Sequence, residues 1–368
     1  MRNRCSRLAD LKWVILCALL LGQVTAGLAQ EESAAPPSFL VGSKGQVIGL
    51  SFVGRMVGDL DKSVAFYQAL GFVPAEGVNS SWRNDEVMNR IHGAKGVESR
   101  MAKFTLNSSS SGKPFTLYLR EFRGIERRNV MGGKTAWEPG ATHVGLTVAD
   151  AGLLWSQLQA AGRLWPRSWD GKLIARPGQT KGTIAYITDP DGMDVEIIEQ
   201  SPATPATATQ PEIPAVPPGF NHVGLVTLDI EQAKGFYGSL LGVELPTATM
   251  PWASGDFFDS AVGGHGNILR LFNGTIADAA DTNARMRFEL VEYLNRKKPV
   301  DPFSITDIGV SYIGFEVSDI DALVARLQGA GITVMSDGIV EMTGGYRVAL
   351  VRDPDVGVFV ELFERPKS

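Results

Sequence analysis

The sequence has 368 residues, of which 44% are hydrophobic and 20% are charged, and its formal net charge at pH 7 is −5. This length and composition are typical of a folded protein with at least two domains and ample core. No basic stripe is visible, which argues against nucleic acids and anionic membranes as partners.

The first 29 residues have the pattern of a secretory signal peptide. Basic residues precede the apolar run Trp13–Leu21, and small residues lead to the expected cleavage site after Ala29. The run is too short for a comfortable membrane span, and an uncleaved anchor is the alternative. We therefore expect a periplasmic or secreted protein with no membrane association after cleavage. Both cysteines, Cys5 and Cys17, lie in the removed segment, so the mature protein is expected to contain no disulfide.

Residues 30–45 are rich in Glu, Ser, Ala and Pro and are expected to form a flexible lead-in. After them, one unit occurs four times: an apolar strand, a capping aspartate, an amphipathic helix and a terminating glycine. The cap and the glycine are 12 residues apart in three copies and 13 apart in the third copy. These pairs are Asp59 and Gly71, Asp150 and Gly162, Asp229 and Gly242, and Asp319 and Gly331.

About three strand-like runs follow each helix, so each copy is predicted to be a β-α-β-β-β module. A module offers only one apolar face, and modules must therefore pair to make a core. The Pro-rich segment 201–217 is expected to be a linker between a first domain, residues 46–200, and a second domain, residues 218–366. The four modules span residues 46–125, 138–200, 218–296 and 306–366.

Several motifs resemble the vicinal oxygen chelate superfamily, which includes glyoxalase I, bleomycin-resistance proteins and extradiol dioxygenases. They are DLDKSVAFYQALGF at 59–72, THVGLTVAD at 142–150, DPDGMDVEI at 189–197 and NHVGLVTLDIEQAKGFYGSLLG at 221–242. The resemblance covers residues 46 to 365 and implies an α+β fold in which four βαβββ modules pair into two half-open barrels. It also implies that metal ligands come from the first and last strand of each module. Function resides in the site and not in the scaffold, so no single activity is implied.

The ligand positions of that family can be found by register, seven residues before each capping aspartate and on each last strand. The first-strand positions are Phe52, His143, His222 and Tyr312, and the last-strand positions are Tyr118, Glu196, Glu289 and Glu361. Only the second and third modules hold a complete His/Glu pair. The alternative to a ligand role is that His143 and His222 are strand-edge histidines with backbone hydrogen bonds. The other histidines, His92 and His265, lie in glycine-containing loops and are expected to be solvated.

The pairing of the modules decides the chemistry, and the sequence leaves two schemes open. Neighbour pairing, 1 with 2 and 3 with 4, is suggested by the Pro-rich linker and leaves two or three ligands in each hollow. Pairing 2 with 3 and 1 with 4 gathers His143, Glu196, His222 and Glu289 in one hollow and leaves the other degenerate. We favour the second scheme, because one intact set beside one degenerate set is the more economical interpretation.

Two imidazoles and two carboxylates suit one divalent ion such as Ni, Co, Zn, Fe or Mn. The favoured hypothesis is therefore a metal-dependent isomerase or lyase that acts on a small carbonyl or vicinal-oxygen substrate, with Glu289 or Glu196 as the proton shuttle. One alternative is a metal-free protein that binds a small molecule, as in the bleomycin-resistance branch. A second alternative is an extradiol-type dioxygenase. The sequence does not determine the substrate, the metal or the oligomeric state.

Overall fold

The computed structural model describes residues 45–75, 80–107, 114–140, 142–176, 182–199, 219–245, 250–279, 281–298, 300 and 302–366. The predicted signal peptide (1–29), nearly all of the lead-in and the predicted linker (201–217) lie outside the described residues. Within the described part, no helix is both long enough and apolar enough to cross a membrane.

Every module contains four strands and one longer helix that packs on its own sheet. The strands are β1 (Val47–Met56), β2 (Val73–Pro74), β3 (Glu98–Asn107) and β4 (Pro114–Arg123); β5 (Thr142–Val148), β6 (Ile174–Ala175), β7 (Thr183–Thr188) and β8 (Asp194–Glu199); β9 (Gly219–Thr227), β10 (Ala253–Ser254), β11 (Ile268–Asp278) and β12 (Asp281–Tyr293); and β13 (Ser311–Val317), β14 (Val340–Glu341), β15 (Arg347–Arg352) and β16 (Phe359–Glu364). The helices are α1 (Leu60–Ala69), α2 (Glu86–Ile91), α3 (Ala151–Ala160), α4 (Ile230–Lys234, continued by a π-helix, Gly235–Leu240), α5 (Asp256–Val262) and α6 (Ile320–Gly329).

The predicted caps and stops delimit the four repeated helices. The side chain of each capping aspartate accepts a hydrogen bond from the backbone N–H three residues further on, which satisfies one of the free donors of the first turn. Each helix ends before a glycine in the left-handed region, where a residue with a Cβ would be strained. The φ values are +91° at Gly71, +65° at Gly162, +84° at Gly242 and +81° at Gly331.

The extra residue of the third copy is absorbed by its helix. There the α-helical turns of α4 give way to a π-helix at Gly235–Leu240. In this segment the Leu241 N–H donates to the Phe236 carbonyl at 3.0 Å, a bond that spans five residues instead of four. The wider turn accommodates the extra residue, so Gly242 still follows the end of its helix in the left-handed region, as its counterparts do.

The first strands of the modules determine the pairing. β5 runs antiparallel to β9, and β1 runs antiparallel to β13. The second module therefore pairs with the third, and the first with the fourth, in two curled eight-stranded sheets. The fold is α+β with two half-open barrels, as predicted, and the second pairing scheme is the one that the structure shows. Each barrel takes one module from residues 46–200 and one from residues 218–366, so the barrels do not coincide with these two sequence ranges.

The two barrels are joined through contacts between successive modules. The carboxylate of Asp191, in the Asp-Pro-Asp sequence at 189–191 that follows β7, accepts from the Gly58 N–H at 3.1 Å. The equivalent Asp355 accepts from the Leu228 N–H at 2.9 Å. The fully buried Arg55 of the first module donates to the Asp194 carbonyl of the second at 2.8 Å, and the Tyr67 hydroxyl of its own module accepts from it at 2.7 Å. Turns of the second and fourth modules thus form hydrogen bonds with the residues that follow the first strands of the first and third modules.

Candidate functional site

Two histidines meet because each stands opposite a glycine on the neighbouring strand. In the β5–β9 register, His143 pairs with Gly224, and His222 pairs with Gly145. A Cβ on Gly224 would lie 2.0 Å from the His143 ring, and one on Gly145 would lie 2.1 Å from the His222 ring. Only glycine leaves room for the opposing imidazole at these positions, so the His-Val-Gly triplets on the two strands build one His–His centre together.

The two glutamates come from the last strand of each module, beside these glycines. β8 runs parallel to β5 and places Glu196 next to Gly145, while β12 runs parallel to β9 and places Glu289 next to Gly224. The neighbours of both glutamates point to the other face of the sheet and are buried in the core. Each glutamate is thus directed to the hollow between the paired modules.

These four side chains form one cluster. The Nε2 atoms of His143 and His222 are 2.9 Å apart, and Glu196 Oε2 lies 2.9 Å from His222 Nε2. Glu289 Oε1 lies 3.6 Å from His143 Nε2. The ligand atoms of His143, His222 and Glu289 all lie within 4.8 Å of one another, so a single ion could contact the three. All four predicted site residues are therefore brought together.

Burial controls the charges in this cluster, because each of the four residues is at most 5% exposed. Burial lowers the pKa of both imidazoles to about 3. His222 contributes to the lowered pKa of His143, and Arg287 contributes to that of His222. Both rings are thus neutral at physiological pH, the form that binds metal ions. Burial also raises the pKa of the Glu289 carboxyl, against the opposing effects of Arg287 and His222.

The Nδ1 atom of His222 has two neighbours with opposite requirements. The Asn221 Oδ1 atom, at 2.9 Å, can only accept a hydrogen bond, whereas Arg287 Nη2, at 3.0 Å, can only donate one. Asn221 Nδ2 donates to Thr147 Oγ1 at 3.0 Å, which fixes the orientation of the amide. When Nδ1 carries the proton, it donates to Asn221 and the Nε2 lone pair is available to a metal. When Nδ1 accepts from Arg287, the proton is on Nε2.

The sequence did not single out the polar residues around the cluster. They are Asn221 and Arg287, together with Tyr186, whose ring centre is 5.3 Å from that of His143, and Arg176, which interacts electrostatically with Glu196. A signal existed for Arg287, which stands two residues before Glu289 and therefore on the same face of its strand. Asn221 could be found only from its position next to His222.

The other barrel has the same construction without the ligands. A Cβ on Gly314 would lie 2.2 Å from the Phe52 ring, and one on Gly54 would lie 1.9 Å from the Tyr312 ring. The ring of Phe52 packs edge-on against Tyr118 at 5.0 Å and against Tyr312 at 5.9 Å. Glu361 lies among them, and its burial raises its pKa to about 7 although Arg120 opposes the shift. Aromatic side chains thus occupy the places of the histidines, as the register predicts.

One prediction about the remaining histidines is wrong. His92 is only 3% exposed, because it ends α2 against the rings of Phe122 and Tyr312. Burial lowers its pKa to about 3, and neither ring nitrogen has a hydrogen-bond partner among the residues that the structure describes. The glycine after it marks a helix end that packs inward, not a solvated loop. His265 is exposed, as predicted, and stacks on Trp169 with ring centres 4.0 Å apart.

Comparisons with known proteins agree with this architecture. Two family models, both described as the glyoxalase/bleomycin resistance protein/dioxygenase superfamily, match residues 49–197 and 221–350. Two crystal structures of glyoxalase I variants from Zea mays are 16% identical, cover 89% and 88% of this chain and 96% and 94% of their own, and have TM-scores of 0.53 and 0.51. A dioxygenase-like protein from Bacillus subtilis is 14% identical, covers 88% of this chain and 87% of its own, and has a TM-score of 0.46. No curated protein matches the sequence.

Proposed function

The chain belongs to the glyoxalase/bleomycin resistance protein/dioxygenase superfamily, and we propose that it is a divalent-metal-dependent isomerase or lyase. Its substrate would be a small carbonyl or vicinal-oxygen compound. The observation that carries this proposal is the convergence of His143, Glu196, His222 and Glu289 from two modules into one buried cluster.

The donor set fits a metal ion better than it fits a hydrogen-bonded network. Glu196 Oε2 is buried 2.9 Å from His222 Nε2, yet it makes no well-aligned hydrogen bond within the part of the chain that the structure describes. Buried carboxylates beside neutral imidazoles need a cation or protons to offset the cost of their burial. Imidazole and carboxylate donors together suit Ni, Co, Zn, Fe or Mn, and three or four such ligands leave positions open for a substrate.

A bound divalent ion would act as a Lewis acid on a substrate carbonyl or hydroxyl oxygen. Glu289 is then placed to take a proton from the substrate carbon next to that oxygen. It would return the proton to an adjacent atom of the substrate. Burial raises the pKa of the Glu289 carboxyl, which makes its carboxylate a stronger base than a free glutamate. Glu196, on the opposite module, is the second carboxylate that could hold a proton.

A second candidate function is an oxygenase reaction. The three groups His143, His222 and Glu289 form the two-histidine, one-carboxylate set that non-haem Fe(II) oxygenases use. Oxygen consumption with iron-loaded protein distinguishes this reaction from an isomerase or lyase reaction, which consumes no O2. A metal-free binding protein is the outcome if no metal is found.

The test is metal analysis of the mature protein purified without a histidine tag. We expect close to one divalent ion per chain by mass spectrometry, and loss of that ion in His143→Ala and in His222→Ala alike. His265→Ala is the matched control, because His265 lies in the same barrel but is exposed and outside the cluster. A metal-free protein, or one that retains its ion in both cluster variants, contradicts the proposal.

We also propose that the protein is exported, on the basis of its first 29 residues. The intact mass of protein purified after expression of the full sequence tests this proposal, because cleavage after Ala29 leaves Gln30 as the first residue. An intact mass that still includes residues 1–29, in protein taken from the cytoplasmic fraction, argues against export.

A further inference from the structure

Arg287 lies beside the cluster with part of its hydrogen-bonding edge unpaired. Its Nη2 is 3.0 Å from His222 Nδ1, whereas its Nε is buried and has no partner among the described residues. The Nε–H and one Nη2–H bond point to the same side of the planar guanidinium, and together they match the two oxygens of a carboxylate. A buried donor without an acceptor destabilises the protein, so this edge is suited to a ligand that supplies one.

Metal binding would also release Arg287 Nη2 from its contact with His222. Coordination through His222 Nε2 requires the proton on Nδ1, which then donates to Asn221 Oδ1 at 2.9 Å. Nδ1 can no longer accept from Arg287 in that tautomer. Both donors of the edge then need a new acceptor.

The charges of the cluster lead to the same conclusion. Arg176 interacts electrostatically with both Glu196 and Arg287, so two guanidinium groups and two carboxylates balance each other. The nearby Asp194 and Arg55 have partners of their own in Arg167 and Asp189. A divalent ion held by the two carboxylates leaves a net charge of about +2 in a buried hollow, which is costly without an anion.

We propose that Arg287 binds a carboxylate of the substrate through its Nε and Nη2 atoms. The substrate is therefore a small carboxylic acid with a keto or hydroxyl oxygen on the neighbouring carbon. This inference rests on the proposed metal-dependent function and adds the chemical class of the substrate. Arg287 acts as a specificity residue: it distinguishes an acid from a neutral compound of the same size.

The experiment compares two probes of similar shape and different charge, pyruvate and hydroxyacetone. Each is titrated calorimetrically into protein loaded with the ion that metal analysis identifies. We expect pyruvate to bind at least about tenfold more tightly than hydroxyacetone, as one charge-assisted bidentate pair allows. In Arg287→Gln, pyruvate affinity is expected to fall by about tenfold while hydroxyacetone affinity is unchanged. Arg287→Lys should be intermediate, because a lysine keeps the charge and loses the bidentate geometry.

Arg285→Gln is the matched control, since it removes the same charge from the same strand at an exposed position near Glu244. It is expected to bind both probes like the parent protein. Metal content is measured for every variant, so that loss of the ion is not mistaken for loss of the anion site. A protein without metal overturns the proposed function. A loaded protein that shows no preference, binds neither probe, or keeps its preference in Arg287→Gln overturns this inference alone.

Discussion

Asn221 is placed to hold the proton position on which the proposed metal binding by His222 depends. Its side-chain oxygen is the acceptor for a protonated Nδ1, and Arg287 competes for the same nitrogen as a donor. We therefore predict that Asn221→Ala weakens metal affinity by about 10–100-fold, the usual effect of losing an outer-shell partner of a metal-bound histidine. Competition with a coloured chelator measures this change.

Asn221→Asp is the matched variant for this prediction. A carboxylate keeps the acceptor and binds the Nδ1 proton more strongly, so this variant should retain or exceed the parent affinity. The thermal midpoints of both variants should be recorded, because each also changes the contact with Thr147. Equal metal affinity of Asn221→Ala and the parent protein would show that the amide does not control the tautomer.

At the residue scale, the sequence predicted the cluster but not its surroundings. His143, Glu196, His222 and Glu289 follow from a register that four copies share. Arg287 could not be recognised in the same way, since a polar residue on a strand more often faces solvent. Its position in the hollow depends on the pairing of the modules.

At the scale of strands and helices, the glycines of the first strands are as necessary to the cluster as the histidines, because they leave room for the opposing rings. We predict that Gly224→Ala abolishes metal retention, because its Cβ would stand 2.0 Å from Cε1 of His143 and displace the ring. Gly235→Ala is the control: Gly235 is helical, and a Cβ there would meet no atom within 4 Å. Metal analysis of both purified variants measures the difference, and full metal in Gly224→Ala would contradict this account.

The same glycines show which part of the fold could be predicted. Caps, stops and strand runs are local in sequence, so all four modules follow from patterns of capping aspartates, terminating glycines and apolar residues. Their pairing is not local. The Pro-rich segment suggested that neighbours pair, whereas a glycine two residues after each of Phe52, His143, His222 and Tyr312 was the available signal for close contact between first strands.

At the scale of the whole molecule, the cluster of two histidines and two glutamates is divided between the two halves of the chain. His143 and Glu196 precede the predicted linker at 201–217, and His222 and Glu289 follow it. The halves are held together along two ladders, β5 with β9 and β1 with β13, which lie in different barrels. Continuity of the chain at the linker is therefore not what keeps the ligands together.

We predict that the protein remains assembled after a single cut in the linker. A protease site placed within residues 201–217 should give two fragments that co-elute in size-exclusion chromatography and keep the metal, because both ladders and their apolar cores stay intact. Residues 30–200 and 218–368, produced separately, should each bind the ion weakly, since each supplies one imidazole and one carboxylate. Mixing the two should restore metal binding. Fragments that separate after cleavage would show that the two ladders do not hold the halves together. One half that binds the ion as tightly as the whole chain would mean that this half forms its own site.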